Sequence, residues 1–160
     1  RIETGKLRFS KTEVDYDKMI TDAVEDFKPL ATTHELHFEP GNTGATVLAD
    51  VLRISQVVNN LLSNAVKYSP KGSKVIINTR KEDDVIVFAV TDMGKGIPAK
   101  KIDHIFNRFY RASEDGDFDS GLGIGLYISK EIIERHQGSI HVKSNNKGAS
   151  FWFCLPASNQ

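Results

Sequence analysis

Six consecutive apolar residues, Val85-Ile86-Val87-Phe88-Ala89-Val90, run into Thr91-Asp92-Met93-Gly94-Lys95-Gly96-Ile97-Pro98. Such a run reads as a buried strand, so the chain must build a sheet and a core around it. The strand ends on a carboxylate, and glycines follow at once. Gly94 and Gly96 permit backbone angles closed to other residues and let a ligand approach the main chain closely. Pro98 suits the first position of a new helix. A fixed acid beside bare backbone can hold a flat hydrogen-bonding ring such as adenine. A plain tight turn is the alternative that this segment leaves open.

The remaining elements follow from pattern. Leu7 to Val14 reads as a strand, and Asp15 to Ala31 as an amphipathic helix with Ile20, Val24 and Phe27 on one face. Glu35 to Glu39 and Thr46 to Ala49 read as two strands around the turn Pro40-Gly41-Asn42-Thr43-Gly44. A long helix is expected from Val51 to Tyr68 with Asp50 as N-cap. Strands follow at Lys74 to Arg80 and Val85 to Thr91, then a helix from Pro98 to about Phe109. Residues 112 to 121 are polar and acidic and read as a mobile loop. A helix begins near Gly123 and ends by Gly138, and strands at Ser139 to Lys143 and Ala149 to Leu155 close the chain. This order predicts an α+β fold: a two-layer sandwich with a mixed, mostly antiparallel sheet covered on one face by three main helices.

Length and charge narrow the function. At 160 residues the chain reads as one domain, 1–160. Lys plus Arg total 21 and Asp plus Glu total 21, so no basic field points to nucleic acid or an acidic membrane. The apolar runs are too short to span a bilayer, and no signal peptide is evident. The chain starts without Met, as a piece of a longer protein would. The single cysteine, Cys154, lies in Phe151-Trp152-Phe153-Cys154-Leu155 and is expected to be buried and inert.

Two further elements accompany the Asp92 segment. On a helix turning about 100° per residue, Ile54, Val57, Val58, Leu61, Leu62 and Ala65 gather on a core face, while Arg53, Gln56, Asn60, Ser63, Asn64 and Lys67 form a polar stripe. Asn60 and Asn64 are one turn apart, so their amides stack, and Lys67 continues the line. Amide oxygens beside an ammonium suit hydrated Mg²⁺ and a polyphosphate; a solvated helix face is the alternative. The other element is Ser120-Gly121-Leu122-Gly123-Ile124-Gly125-Leu126, which leads into a helix. Glycines before a helix N-terminus make an anion site from free N–H groups. The spacing is neither that of a dinucleotide fold nor that of a P-loop, and a flexible hinge is the alternative.

Taken in order, these elements resemble the catalytic ATP-binding domain of sensor histidine kinases, part of the superfamily that includes DNA gyrase B, MutL and a heat-shock chaperone. Asn60-Leu61-Leu62-Ser63-Asn64-Ala65-Val66-Lys67-Tyr68 resembles the N box, Asp92 to Ile97 the first glycine box, Ile105 to Arg111 the F box, and Gly121 to Leu126 the second glycine box. His136-x-Gly138-x-Ile140, Gly148-x-x-Phe151 and Glu3-x-Gly5-Lys6-Leu7 fit as well. The resemblance implies that Asp92 accepts a hydrogen bond from the adenine amino group. It implies that Asn64 and Asn60 hold Mg²⁺, that Lys67 meets phosphate, and that Tyr68 lies near the nucleoside or the lid. Gly94, Gly96, Ile97, Gly121, Leu122, Gly123, Gly125 and Leu126 would shape the nucleotide pocket, and Ser150 would reach adenine through water. Arg111 and Arg108 would answer charge at the γ-phosphate. A flexible ATP lid is implied at about 100–122, and residues 1–6 would be the tail of a linker from an upstream dimerisation helix.

The implied activity is transfer of the γ-phosphate of Mg-ATP to a histidine on a separate dimerisation domain, with a response regulator as the indirect partner. The fragment would be monomeric and cytoplasmic, the parent a homodimer. Two departures stand out. Leu122 replaces the usual Thr, with Ser120 displaced by two, and the acceptor-histidine box is absent. His34 precedes Glu35 but lies in a predicted turn, and His37, His104, His136 and His141 read as structural. No zinc-ligand spacing or Ser/His/Asp pattern occurs. A regulatory nucleotide-binding module or inactive scaffold is the competing class. A gyrase-like ATPase is disfavoured because Asn60 stands where that branch has its water-activating Glu.

Overall fold

The structure is a computed structural model and describes residues 8–107 and 122–158. The elements are β1 (Thr12–Asp15), α1 (Tyr16–Phe27), a 3₁₀ turn (Lys28–Leu30), β2 (Glu35–Glu39), β3 (Thr46–Ala49), α2 (Val51–Lys67), β4 (Lys74–Glu82), β5 (Val85–Asp92), α3 (Ala99–Ile102), α4 (Leu122–Glu134), β6 (Ser139–Asn145) and β7 (Gly148–Pro156). Five strands form one sheet in the order β2-β4-β5-β7-β6, and β1 pairs with β3 in a separate ribbon. Within the large sheet only β2 and β4 run parallel. The fold is the expected α+β arrangement, a mixed sheet packed against helices.

β5 lies at the centre of the sheet, and its alternation places Ile86, Phe88 and Val90 in the core. Phe151, Phe153 and Leu155 join them from β7, and Val75 and Ile77 from β4. From the helices come Ile20 and Val24 of α1, Ile54, Val58, Leu61 and Leu62 of α2, and Leu126, Ile132 and Ile133 of α4. Side chains on the other face of the strands, Ser150, Trp152 and Cys154, are half-buried. Cys154 is therefore less enclosed than its apolar neighbours imply, although burial still pushes its thiol pKa up.

Three local expectations change. Glu35–Glu39 and Thr46–Ala49 do not form a hairpin: β2 pairs with β4 and β3 with β1. The intervening loop is held by other partners. Gly41 N–H donates to Thr79 Oγ1 at 2.7 Å, and Asp17 accepts from Thr43 Oγ1 and Gly44 N at 2.9 Å each. Among the described residues the first strand begins only at Thr12 and runs to Asp15, and the Ser10 N–H ahead of it donates to Asp50 Oδ2 at 2.7 Å. The helix expected from Pro98 to Phe109 is one turn, Ala99–Ile102, with Pro98 as its N-cap, followed by turns through Phe106.

A buried node fastens the layers. Asp50 caps α2 by accepting from Arg53 N at 3.2 Å, while its own N–H donates to His136 Nε2 at 3.0 Å. The other ring nitrogen of His136 pairs with Ile132 O at 2.8 Å, so Nδ1 carries the proton and Nε2 the lone pair. Burial pushes the His136 pKa below its ordinary 6.5. Because the folded value is depressed, the unfolded chain binds the extra proton, and stability falls as pH drops through 6.5 towards the folded value. The unfolding temperature is expected to fall between about pH 7.5 and about pH 5, and His136→Gln should flatten part of that slope. Thermal melts of both proteins across that range check this.

Candidate functional site

The site is organised by α2. Its apolar residues face the core, which leaves Arg53, Gln56, Asn60, Ser63 and Asn64 as a half-buried stripe and Lys67 exposed at its end. The stripe divides into two. Arg53 and Gln56 border an open cavity of about 450 Å³ beside Phe9, Asp50 and Leu52. From Asn60 onward the stripe meets both glycine segments.

The first meeting is at the C-terminal end of α2. Asp92 is the last residue of β5, only 7% exposed, and shares its face of the strand with Val90, the face towards the helices. Its Oδ1 accepts from Gly94 N at 2.8 Å, and its carboxylate also accepts from the Ala149 N–H. Desolvation raises its pKa, and those two backbone bonds oppose the rise. Gly94 lies so close to Tyr68 that a Cβ would fall on the Tyr68 carbonyl oxygen. Gly94 is thus required for close approach rather than for its angles; Gly96 is the residue at positive φ, +81°. A Cβ there would meet the Asn145 carbonyl. Ile97 follows, half-buried against the core, with its N–H donating to Ser144 Oγ at 2.7 Å. Lys67 Nζ lies 5.9 Å from the centre of the Tyr68 ring.

The second meeting is about two turns inside the helix. Asn60 Nδ2 donates to Gly125 O at 3.2 Å and to Ser129 Oγ at 3.1 Å, both on α4. A Cβ on Gly125 would make ordinary contact with the Asn60 amide, so it is the Gly125 carbonyl that serves this contact. Asn64 Nδ2 is buried and has no hydrogen-bond partner among the described residues. An unsatisfied buried donor costs roughly 1–3 kcal/mol, and a phosphate oxygen or a cation-bound water would satisfy it. The amide oxygens of Asn60 and Asn64 are hard donors few enough for Mg²⁺, which keeps part of its shell for water and phosphate.

Some expected residues are placed elsewhere. Ser150 pairs with Thr91, their hydroxyls 2.8 Å apart, on the face of the sheet opposite Asp92. Its neighbour Ala149 is the residue whose backbone reaches the carboxylate. Leu126 is 1% exposed and belongs to the core. Leu122 and Gly123 open α4. Arg108, Arg111 and Gly121, with the loop at 112 to 121, lie outside the described residues. At the near edge of that loop Ile105 is buried, and Phe106 meets Phe151 edge-on, centroids 6.3 Å apart. Pattern reading missed Ser129, Ser144 and the Ala149 N–H. A fully buried serine in an apolar helix is a signal for Ser129; Ala149 carries none, because its role is backbone.

The chain belongs to the histidine kinase-, DNA gyrase B-, and HSP90-like ATPase family, whose model matches residues 49–159. The alginate biosynthesis sensor protein KinB of Pseudomonas aeruginosa is 33% identical over 159 residues, 98% of this chain and 26% of that protein. The sensor histidine kinase YvrG of Bacillus subtilis (strain 168) is 34% identical over 146 residues, 90% of this chain and 25% of that protein. The chain therefore spans about a quarter of the length of these two relatives. Among solved structures, the mycobacterial sensor histidine kinase MprB matches with a TM-score of 0.80 at 26% identity, covering 94% of this chain and 100% of that one. The nucleotide-free catalytic domain of histidine kinase ThkA matches with a TM-score of 0.80 at 28% identity, covering 92% and 96%. ThkA has also been solved in complex with the response regulator protein TrrA, where the match covers 96% of this chain and 44% of that one. The domain is of the histidine kinase catalytic kind. Among the described residues no helix is long and apolar enough to cross a membrane.

The Asp92 environment carries a stability consequence. Its folded pKa is raised, so the favourable contribution belongs to the protonated form and is lost as pH rises through that value. At neutral pH the ionised carboxylate therefore works against the fold. Asp92→Asn is expected to leave the urea midpoint of the ligand-free domain unchanged or raise it. A clear fall in the midpoint would contradict this reading.

Proposed function

We propose that this domain binds Mg-ATP along the Asn60–Tyr68 side of α2 and donates the γ-phosphate to a histidine on a separate dimerisation domain of a two-component sensor kinase. One observation carries the reading. A single helix is met by both glycine segments, Gly125 at Asn60 and Gly94 at Tyr68. Those points are eight residues apart, roughly 12 Å along the axis, a span that suits a nucleotide. The family match and the kinase relatives support it.

In this reading Asp92 accepts from the adenine amino group at the end of β5. Gly94, Gly96 and Ile97 keep the loop thin and tied to Ser144, so the ring can lie against main chain. Lys67 meets phosphate, and Tyr68 borders the nucleoside. Gly121, Leu122, Gly123 and Gly125 bring the N-terminus of α4 to the phosphates. Leu126 and Ser150 support the pocket rather than touch ligand. Asn60 and Asn64 hold Mg²⁺, which when bound neutralises phosphate charge. The acceptor imidazole is itself the nucleophile: a ring nitrogen bonds to the γ-phosphorus, the bond to the β-bridging oxygen breaks, ADP leaves, and the ring proton passes to solvent. The domain's work is positioning and charge stabilisation, with Arg111, backed by Arg108, answering charge on the transferring group. A domain that consumes ATP works in the cytoplasm, in a parent that acts as a homodimer. The complex of ThkA with TrrA supports a response regulator as the next partner.

Two measurements test the proposal. Asp92→Asn loses a charged hydrogen bond, roughly 1.5–3 kcal/mol, so calorimetry should find ATP binding about ten- to a hundredfold weaker; unchanged affinity would remove Asp92 from the site. Arg111→Ala, supplied with a histidine-bearing dimerisation domain and γ-labelled ATP, should transfer at least about tenfold more slowly while ATP affinity falls only slightly. Normal transfer by that variant would pass the role to Arg108.

A further inference from the structure

Ser129 is a polar residue in the buried face of α4, 0% exposed. A serine there is costly. Its hydroxyl is desolvated, and alanine is the better helix former and fills nearly the same volume. Its hydroxyl meets Asn60 Nδ2 at 3.1 Å. The second acceptor for the same amide is Gly125 O, at 3.2 Å and one turn earlier on α4. A carbonyl oxygen only accepts, so this contact fixes which end of the Asn60 amide faces α4. With Nδ2 held by two acceptors, Oδ1 is the end of the amide left out of those bonds, and it lies beside Gly125 at the first turn of α4.

The two acceptors differ in their surroundings. Gly125 lies within the first four residues of α4, whose N–H groups have no partner inside the helix. In the reading above those N–H groups meet phosphate, so that turn takes part in the ligand contact itself. Ser129 is a turn further in, where Leu126, Ile132 and Ile133 pack into the core. It is the acceptor anchored in the core.

We propose that Ser129 is a positioning residue: it holds the Asn60 amide with Oδ1 presented to the divalent cation of the bound nucleotide, and so sets how much cation the domain needs to bind it. The proposal rests on the assignment of Asn60 to the cation. Without Ser129 the amide keeps one acceptor and is free to rotate or flip, which removes a cation ligand while leaving the contacts to adenine intact.

The test is calorimetric titration of the domain with a non-hydrolysable ATP analogue over a series of Mg²⁺ concentrations, and again with chelator. Ser129→Ala should raise the Mg²⁺ concentration for half-maximal binding about three- to tenfold, the fold-change of one lost net hydrogen bond. Affinity in chelator should not change. Ser129→Cys, nearly the same size but a weak acceptor, should shift the midpoint in the same direction and serves if the alanine variant does not fold. In an Asn60→Ala background Ser129→Ala should add nothing, since the coupling acts through that amide. An unshifted Mg²⁺ midpoint in a folded variant, or an equal loss of affinity with and without Mg²⁺, overturns the positioning role. If Asn60→Ala itself leaves the Mg²⁺ midpoint unchanged, the cation assignment fails first and takes this inference with it. If nucleotide does not bind the unaltered domain at all, the function proposed above is what has failed.

Discussion

Everything in this domain depends on α2 burying one side completely while keeping the other half-open. Ile54, Val57, Leu61 and Leu62 are fully or almost fully buried, so the helix cannot rotate without exposing several large side chains. Each such residue is worth roughly 1.5–3 kcal/mol in burial, far more than any reorientation of the polar stripe would gain. The stripe is therefore held in place by the core beneath it. Asn60 and Asn64 need no support of their own against rotation of the helix axis. They need support only at the level of the amide, and α4 supplies it for Asn60. Asn64 Nδ2 has no hydrogen-bond partner among the described residues, which leaves it available to the proposed ligand.

The elements with strong periodicity were readable from the sequence. The buried strand at β5, the amphipathic α2 and the α4 helix lie where pattern places them, because each is specified locally by apolar spacing, reinforced at α2 by the Asp50 cap. Pairing partners were not readable. Glu35–Glu39 and Thr46–Ala49 look like the arms of a hairpin over a short range. The hydrogen bonds of that loop to Asp17 and Thr79 are long-range facts that no local window contains. The same limit governs the site. The three polar and glycine-rich elements were visible, and their convergence on one helix was inferred from resemblance. Ser150 shows where a one-residue shift matters: in a strand it moves the side chain to the opposite face. Ser150 thus joins Thr91, and the Ala149 backbone serves Asp92 instead.

Asp92 and Ser129 show the same tension between stability and use. A buried carboxylate at the end of a central strand and a buried hydroxyl in a core helix both oppose the fold they sit in. Each is held by hydrogen bonds to backbone or amide groups of a neighbouring element, and in the proposed function Asp92 serves the ligand directly and Ser129 through Asn60. Apolar replacements at either position would be expected to pack comfortably. Their presence singles out the two ends of the proposed site more clearly than any exposed side chain does.

The node at Asp50 also has a mechanical meaning. The backbone at Ser10 is bonded to the Asp50 carboxylate, that carboxylate caps the first turn of α2, and the Asp50 N–H is bonded to the ring of His136 just past the end of α4. The backbone at Ser10 thus meets the joint where α2 and α4, the two helices of the proposed site, are fastened. It is within two hydrogen bonds of the start of α2 and of the residue just past the end of α4. Because the core holds α2 as a rigid rod, Asn60 and Asn64 are fixed relative to this joint, some ten to fourteen residues and about 15–21 Å further along the helix.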